Sequence, residues 1–121
     1  MEDNLLIVGG SGFIGRNLVE KSLKAGFNIT VISLTKIAYK QKIRGVIYIQ
    51  ADITNLPLMK EKLFNTSFNY VVNLSGYIDH SSYLDGGYIA INAHFNGLQN
   101  LLQVLDWSVL KRFVQIGSSD E

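Results

Sequence analysis

The sequence predicts an α/β fold, a doubly wound parallel sheet that is incomplete at its C-terminus. Three observations predict it. Short apolar runs alternate with helix-period patterns along the whole 121-residue chain. Most of the runs are continuous rather than alternating, as in strands covered on both faces. A glycine-rich turn follows the first run and opens the first helical pattern, and right-handed crossovers then wind the sheet in both directions.

Leu5-Leu6-Ile7-Val8 reads as the first buried strand, and Gly9-Gly10-Ser11-Gly12-Phe13-Ile14-Gly15 follows it directly. The helical pattern beyond places Ile14, Leu18, Ser22 and Ala25 on one face, joined by Val19. Gly26 is placed to close that helix as a left-handed cap. Asn28–Ile32, rich in β-branched residues, is the second strand. Ser33 to Gly45 carries Lys36, Lys40, Lys42 and Arg44 and reads as a solvated loop with room for a helical turn. Val46–Ile49 is the third strand and runs into Gln50-Ala51-Asp52-Ile53-Thr54. Asn55 to Phe64 is a short amphipathic helix, with Pro57 near its first turn, where proline is tolerated. Tyr70–Leu74 is the fourth strand, ending in Ser75-Gly76, and a polar loop runs from Tyr77 to Gly87. Tyr88 to Trp107 is the longest helical pattern, with Ile91, Phe95, Leu98, Leu102 and Leu105 at helical spacing on its expected buried face. Phe113–Ile116 is the fifth strand, followed by Gly117-Ser118-Ser119-Asp120-Glu121. No internal repeat, low-complexity tract or interdomain linker interrupts this order.

The glycine turn carries the chemistry. Gly10, Gly12 and Gly15 fit G-x-G-x-x-G, while Gly9, Gly12 and Gly15 fit G-x-x-G-x-x-G. One glycine lets the chain reverse, a second leaves room for a pyrophosphate against the backbone, and a third lets helix and strand pack closely. The new helix aims unpaired N–H groups and the positive end of its dipole at the phosphates. This is a dinucleotide-binding arrangement.

Composition narrows the classes. Hydrophobic residues make up 47% and charged residues 17%, which suits a globular domain rather than disorder. A net charge of +1 without a basic run gives no footprint for nucleic acid or an anionic membrane. No cysteine is present, so thiolate chemistry, disulfides and cysteine-bound metals are excluded, and a cytoplasmic location is expected. No stretch approaches the roughly 20 apolar residues of a membrane span. His80 and His94 have no third ligand at useful spacing, so no metal site is expected. Asp79, His80 and Ser118 form a triad only on paper, because no G-x-S-x-G elbow is present.

In a dinucleotide fold, an acid about 20 residues past the glycines commonly holds the adenosine ribose of NAD. That region here is Ser33-Leu34-Thr35-Lys36, with no carboxylate. Hydroxyls and a lysine favour a 2′-phosphate, so the cofactor expectation is NADP or NAD with a lean to NADP.

With these residues in view, the chain resembles the N-terminal part of an extended short-chain dehydrogenase/reductase, the NAD-dependent epimerase/dehydratase group that works largely on nucleotide sugars. Gly9, Gly12 and Gly15 match its glycine turn, and Phe13-Ile14 match the usual filling. Asp52-Ile53 match the acidic-apolar pair that meets the adenine in that family. Leu74-Ser75-Gly76 match a segment lining the cofactor, and Asn92, Gly97 and Asn100-Leu101-Leu102 match N-x4-G-x2-N-L-L. Ser118 or Ser119 falls where the family places its active-site Ser or Thr. The second register aligns Ser119-Asp120-Glu121 with the T-D-E run of nucleotide-sugar 4,6-dehydratases, in which the two acids split acid and base roles. The resemblance implies a Rossmann-type NAD(P)-binding fold, a nucleotide-sugar substrate, and hydride transfer as the first step.

The chain departs from the family at the catalytic pair, a Tyr with a Lys four residues later. Tyr39, Tyr48, Tyr70, Tyr77, Tyr83 and Tyr88 are followed at that distance by Ile43, Asp52, Leu74, Ser81, Gly87 and Asn92. The expectation is therefore a truncated NAD(P)-binding domain over residues 1–121, without the substrate domain, from a longer epimerase, dehydratase or reductase. Such a chain should bind cofactor without turnover. A partly uncovered sheet face would favour a homo-oligomer or a borrowed partner surface. The alternative is a non-catalytic NAD(P)-sensing protein.

Overall fold

The computed structural model describes residues 3–9, 13–74 and 87–116, with residues 87–95 described as backbone. The elements are β1 (Asn4–Val8), α1 (Phe13–Lys24), β2 (Asn28–Ser33), a 3₁₀ turn at Tyr39–Gln41, β3 (Ile47–Gln50), α2 (Leu56–Lys62), β4 (Tyr70–Asn73), α3 (Gly87–Val104) and β5 (Arg112–Gln115). The five strands form one sheet in the order β3-β2-β1-β4-β5. Every neighbouring pair is parallel. The doubly wound sheet expected from the continuous apolar runs is therefore present.

Those runs are continuous because each strand feeds two cores. Leu6 and Val8 of β1, Ile32 and Val71 pack with Met59 and Leu63 around α2, with Leu101 of α3 and with Leu105 just beyond it. Leu5 and Ile7 of β1, Ile29 and Val31 pack on the other face with Val19 of α1. Burying each such side chain contributes roughly 1.5–3 kcal/mol relative to leaving it in water. β5 is the least covered strand: Phe113 is half-buried, and its neighbour Val114 is 37% exposed.

Two helix faces differ from the periodicity reading. On α1 the buried line is Gly15, Val19 and Ser22, whereas Ile14 and Ala25 are exposed. Over the described side chains of α3 the buried line is Gly97 and Leu101, continued by Leu105 just past the helix, with Leu98 and Leu102 half-buried on its flank; Ile91 and Phe95 lie outside the described side chains. In both helices the buried line includes a glycine, which the apolar count passes over.

The ends of the elements follow local chemistry. Gly26 has φ +95°. Its N–H donates to the Leu23 carbonyl, and Phe27 N–H donates to the Ser22 carbonyl. These two bonds are a Schellman closure of α1. Asn55 caps α2, its side-chain oxygen accepting from Leu58 N–H at 3.1 Å.

Candidate functional site

The chain leaves β1, builds outward through β2 and β3, then crosses back to place β4 and β5 on the other side of β1. The crossovers therefore diverge between β1 and β4. In an open parallel sheet, a crevice opens at that point beyond the carboxyl ends of the strands.

Gly9 stands at its rim. Its N–H continues the ladder by donating to the Ile32 carbonyl at 2.7 Å. Its φ of +82° then swings the chain out of the strand, a left-handed conformation that glycine adopts without a Cβ clash. On the other side of β1, Leu74 N–H donates to the Val8 carbonyl at 2.8 Å, continuing the β1–β4 ladder and holding the end of β4 beside the turn.

The first turn of α1 lies next in sequence. It carries no acidic residue to compete for the positive end of the helix dipole. Gly15 is buried, while Phe13 and Ile14 are 85% and 60% exposed and take no part in the core. Ser33 ends β2 and is buried, whereas Leu34 and Lys36 just beyond it are exposed. Arg16 links this loop to α1: its Nη1 donates to the Gln41 carbonyl at 3.3 Å, and its Nε lies 3.4 Å from Glu20 Oε1. Sequence reasoning passed over Arg16, although a cation directly after the third glycine was a readable signal.

Beyond β3, Ala51 N–H donates to the Ser33 carbonyl, keeping the segment against the sheet. Asp52 Oδ1 accepts from Thr54 N–H at 2.9 Å and from Thr54 Oγ1 at 2.7 Å. Both bonds end on one oxygen of an exposed carboxylate. Ile53 is half-buried against the α2/α3 core, and its carbonyl accepts from Asn100 Nδ2 at 2.8 Å. On β4, buried Asn73 donates from Nδ2 to Gln115 Oε1 at 2.8 Å, tying the ends of β4 and β5 together.

Thus Gly9, Ser33, Lys36, Asp52, Ile53 and Leu74 lie at, or in loops leaving, the carboxyl edge of the sheet, and Phe13, Ile14 and Gly15 lie in the first turn of α1. Gly12, Ser75, Gly76, Ser118 and Ser119 lie outside the described residues, as do Asp79, His80, Asp120 and Glu121. Asn92 is placed only as part of the α3 backbone. Among the described residues, no group of His, Cys, Asp and Glu could hold a metal ion, and no helix is long and apolar enough to cross a membrane.

The model of the NAD dependent epimerase/dehydratase family matches residues 5–121. An epimerase of Methanothermobacter thermautotrophicus is similar in fold, with TM-score 0.79 and 20% identity, covering 94% of this chain and 34% of that one. UDP-glucose 4-epimerase of Thermotoga maritima, solved with UDP-glucose, gives TM-score 0.79 and 21% identity over 93% of this chain and 37% of that one. A Bordetella bronchiseptica enzyme in complex with NAD and UDP gives TM-score 0.70 and 24% identity over 95% of this chain and 37% of that one. Among curated proteins, the chloroplastic divinyl chlorophyllide a 8-vinyl-reductase of Arabidopsis thaliana is 28% identical over 81 residues, which is 60% of this chain and 19% of the reductase. The chain spans little more than a third of the length of these solved structures and a fifth of that reductase.

Proposed function

The chain belongs to the NAD dependent epimerase/dehydratase family, and on that premise we propose that it forms the nucleotide-binding portion of an NAD(P)-dependent epimerase, dehydratase or reductase acting on a nucleotide sugar. The Gly9 turn carries the reading. It is a left-handed glycine at the end of the central strand, at the switch point of the sheet, opening a helix with no acid in its first turn.

In this reading the pyrophosphate sits over Gly9, Gly12 and Gly15 at the start of α1, beside Phe13 and Ile14. Ser33 and Lys36 meet the adenosine ribose, Asp52 and Ile53 meet the adenine, and Leu74, Ser75 and Gly76 line the path toward the nicotinamide, near Asn92. Ser118 or Ser119 orients the reacting substrate oxygen. The bound cofactor supplies a hydride acceptor. No Tyr in this sequence has a Lys four residues on. We therefore expect residues 1–121 to bind cofactor without turnover, with proton transfer supplied from elsewhere. The same missing pair favours the second reading, a sensor that binds NAD(P) without chemistry. The neighbours solved with UDP-glucose and with NAD and UDP support the choice of substrate class.

Calorimetric titration with NADH and NADPH tests the reading. Both should bind, NADPH more tightly, because Lys36 adds a charge-assisted contact to the 2′-phosphate of roughly 1.5–3 kcal/mol, at least about tenfold in affinity. Lys36→Glu should reverse that preference, because the new carboxylate repels the 2′-phosphate of NADPH and can accept hydrogen bonds from the ribose hydroxyls of NADH. Binding of neither dinucleotide would remove the proposed function. Turnover by residues 1–121 alone would remove the claim that they only bind.

A further inference from the structure

The reading above sets the adenine beside Asp52 and Ile53, and the inference here rests on it. The question is what holds those two residues in place. Among the described residues, Asp52 is organised by its own turn, through Thr54 and through Asn55 N–H to the Asp52 carbonyl at 3.0 Å. That turn is suspended between two fixed points. Ala51 is hydrogen-bonded to Ser33 at the end of β2, and Asn55 caps α2. Nothing in the turn itself sets its distance from the sheet.

Ile53 sets it, because α3 grips that residue twice. Asn100 Nδ2 donates to the Ile53 carbonyl at 2.8 Å. One turn earlier on the same helix face, Gly97 leaves the space that the Ile53 side chain fills. A Cβ at Gly97 would lie 2.5 Å from Ile53 Cδ1 and 2.6 Å from Cγ1. The backbone is thus pulled toward α3 by the amide and seated by the glycine. We infer that Asn100, together with Gly97, is a positioning residue for base recognition: it fixes where the Asp52 carboxylate meets the edge of the purine, without touching the ligand.

The chemistry gives a selective readout. The exocyclic amine of adenine donates to a carboxylate. The carbonyl at the same position of hypoxanthine cannot donate, and it repels the carboxylate. The affinity ratio between NAD and nicotinamide hypoxanthine dinucleotide therefore reports where Asp52 stands, whereas general loosening of the fold weakens both ligands alike.

The test is calorimetry of both dinucleotides on the 121-residue chain and its variants. The parent should prefer NAD by about tenfold or more, the scale of one charge-assisted hydrogen bond. Asn100→Ala should bring the ratio to within about twofold, mainly by weakening NAD, because the carboxylate is no longer held on the amine. Asn100→Asp, which keeps the shape and loses the donor, carries the same test should the alanine variant not fold. An unchanged ratio in a folded variant overturns the inference and leaves the proposed function standing. A parent that binds both ligands equally overturns the inference and the contact of Asp52 with the adenine amine, and leaves dinucleotide binding at the glycine turn standing. A parent that binds neither overturns both.

Discussion

At Gly97 one methyl group decides how closely α3 can approach the segment after β3. Gly97→Ala should lower the urea midpoint at unchanged slope, by an overpacking cost of roughly 1–3 kcal/mol, because the new Cβ meets Ile53. Adding Ile53→Ala should restore part of that loss, and strictly additive losses would show that the two residues do not share the space. Gly26 is the contrasting case. Among the described residues, no atom beyond its chain neighbours lies within 4 Å of a Cβ at that position, so the penalty for Gly26→Ala comes from its φ of +95°, about 1–2 kcal/mol. The sequence displayed Gly9 and Gly26 plainly, because each stands at a chain reversal with a local signature. It did not display the partners of Asn100 or Asn73. Those bonds join residues 47 and 42 positions apart, and no local pattern encodes a contact at that distance.

At the scale of elements, α2 spans 7 residues, so its cap carries an unusual share of its stability. Asn55→Ala should cost about 1 kcal/mol, within a range of roughly 0.5–2, and should raise hydrogen exchange at Leu58 N–H. The turn between α3 and β5 gives a pH-dependent counterpart. Hydrogen bonds from the Ser108 hydroxyl and N–H hold the Asp106 carboxyl below the ordinary aspartate value. A lowered folded-state value means that its small stabilisation is present at neutral pH and fades as pH falls from the unfolded value through the folded one. Ser108→Ala should move the Asp106 NMR titration midpoint upward. Strand positions were legible to within one residue, because a parallel strand buried on both faces is apolar throughout. Helix faces were legible less well. Hydrophobic periodicity grouped Ile14, Leu18, Ser22 and Ala25 on one face of the first helix with Val19; Val19 and Ser22 are buried there beside Gly15, whereas Ile14 and Ala25 are exposed.

At the scale of the whole molecule, β1 joins two cores that otherwise lie on opposite faces of the sheet. Leu6 serves one and Ile7 the other, and both are fully buried. A domain of this size has about 5–15 kcal/mol of net stability, so a Leu6→Ala loss of roughly 2–5 kcal/mol takes a large share of it. Ile7→Ala should cost a similar amount from the other face. Val114→Ala, on a partly exposed strand at the sheet edge, should cost well under about 1 kcal/mol. The sharper question is whether the two cores unfold together. Trp107, whose indole N–H donates to the Leu102 carbonyl at the end of α3, reports on the α2/α3 side, while far-UV circular dichroism reports on all elements. Because adjacent residues of one strand serve both cores, Leu6→Ala cannot loosen one face without disturbing the ladder that the other face needs. The two probes should therefore give coincident urea transitions in the parent, in Leu6→Ala and in Ile7→Ala alike. Transitions that separate in Leu6→Ala, with tryptophan fluorescence moving first, would mean that the α1 face holds the sheet without the other.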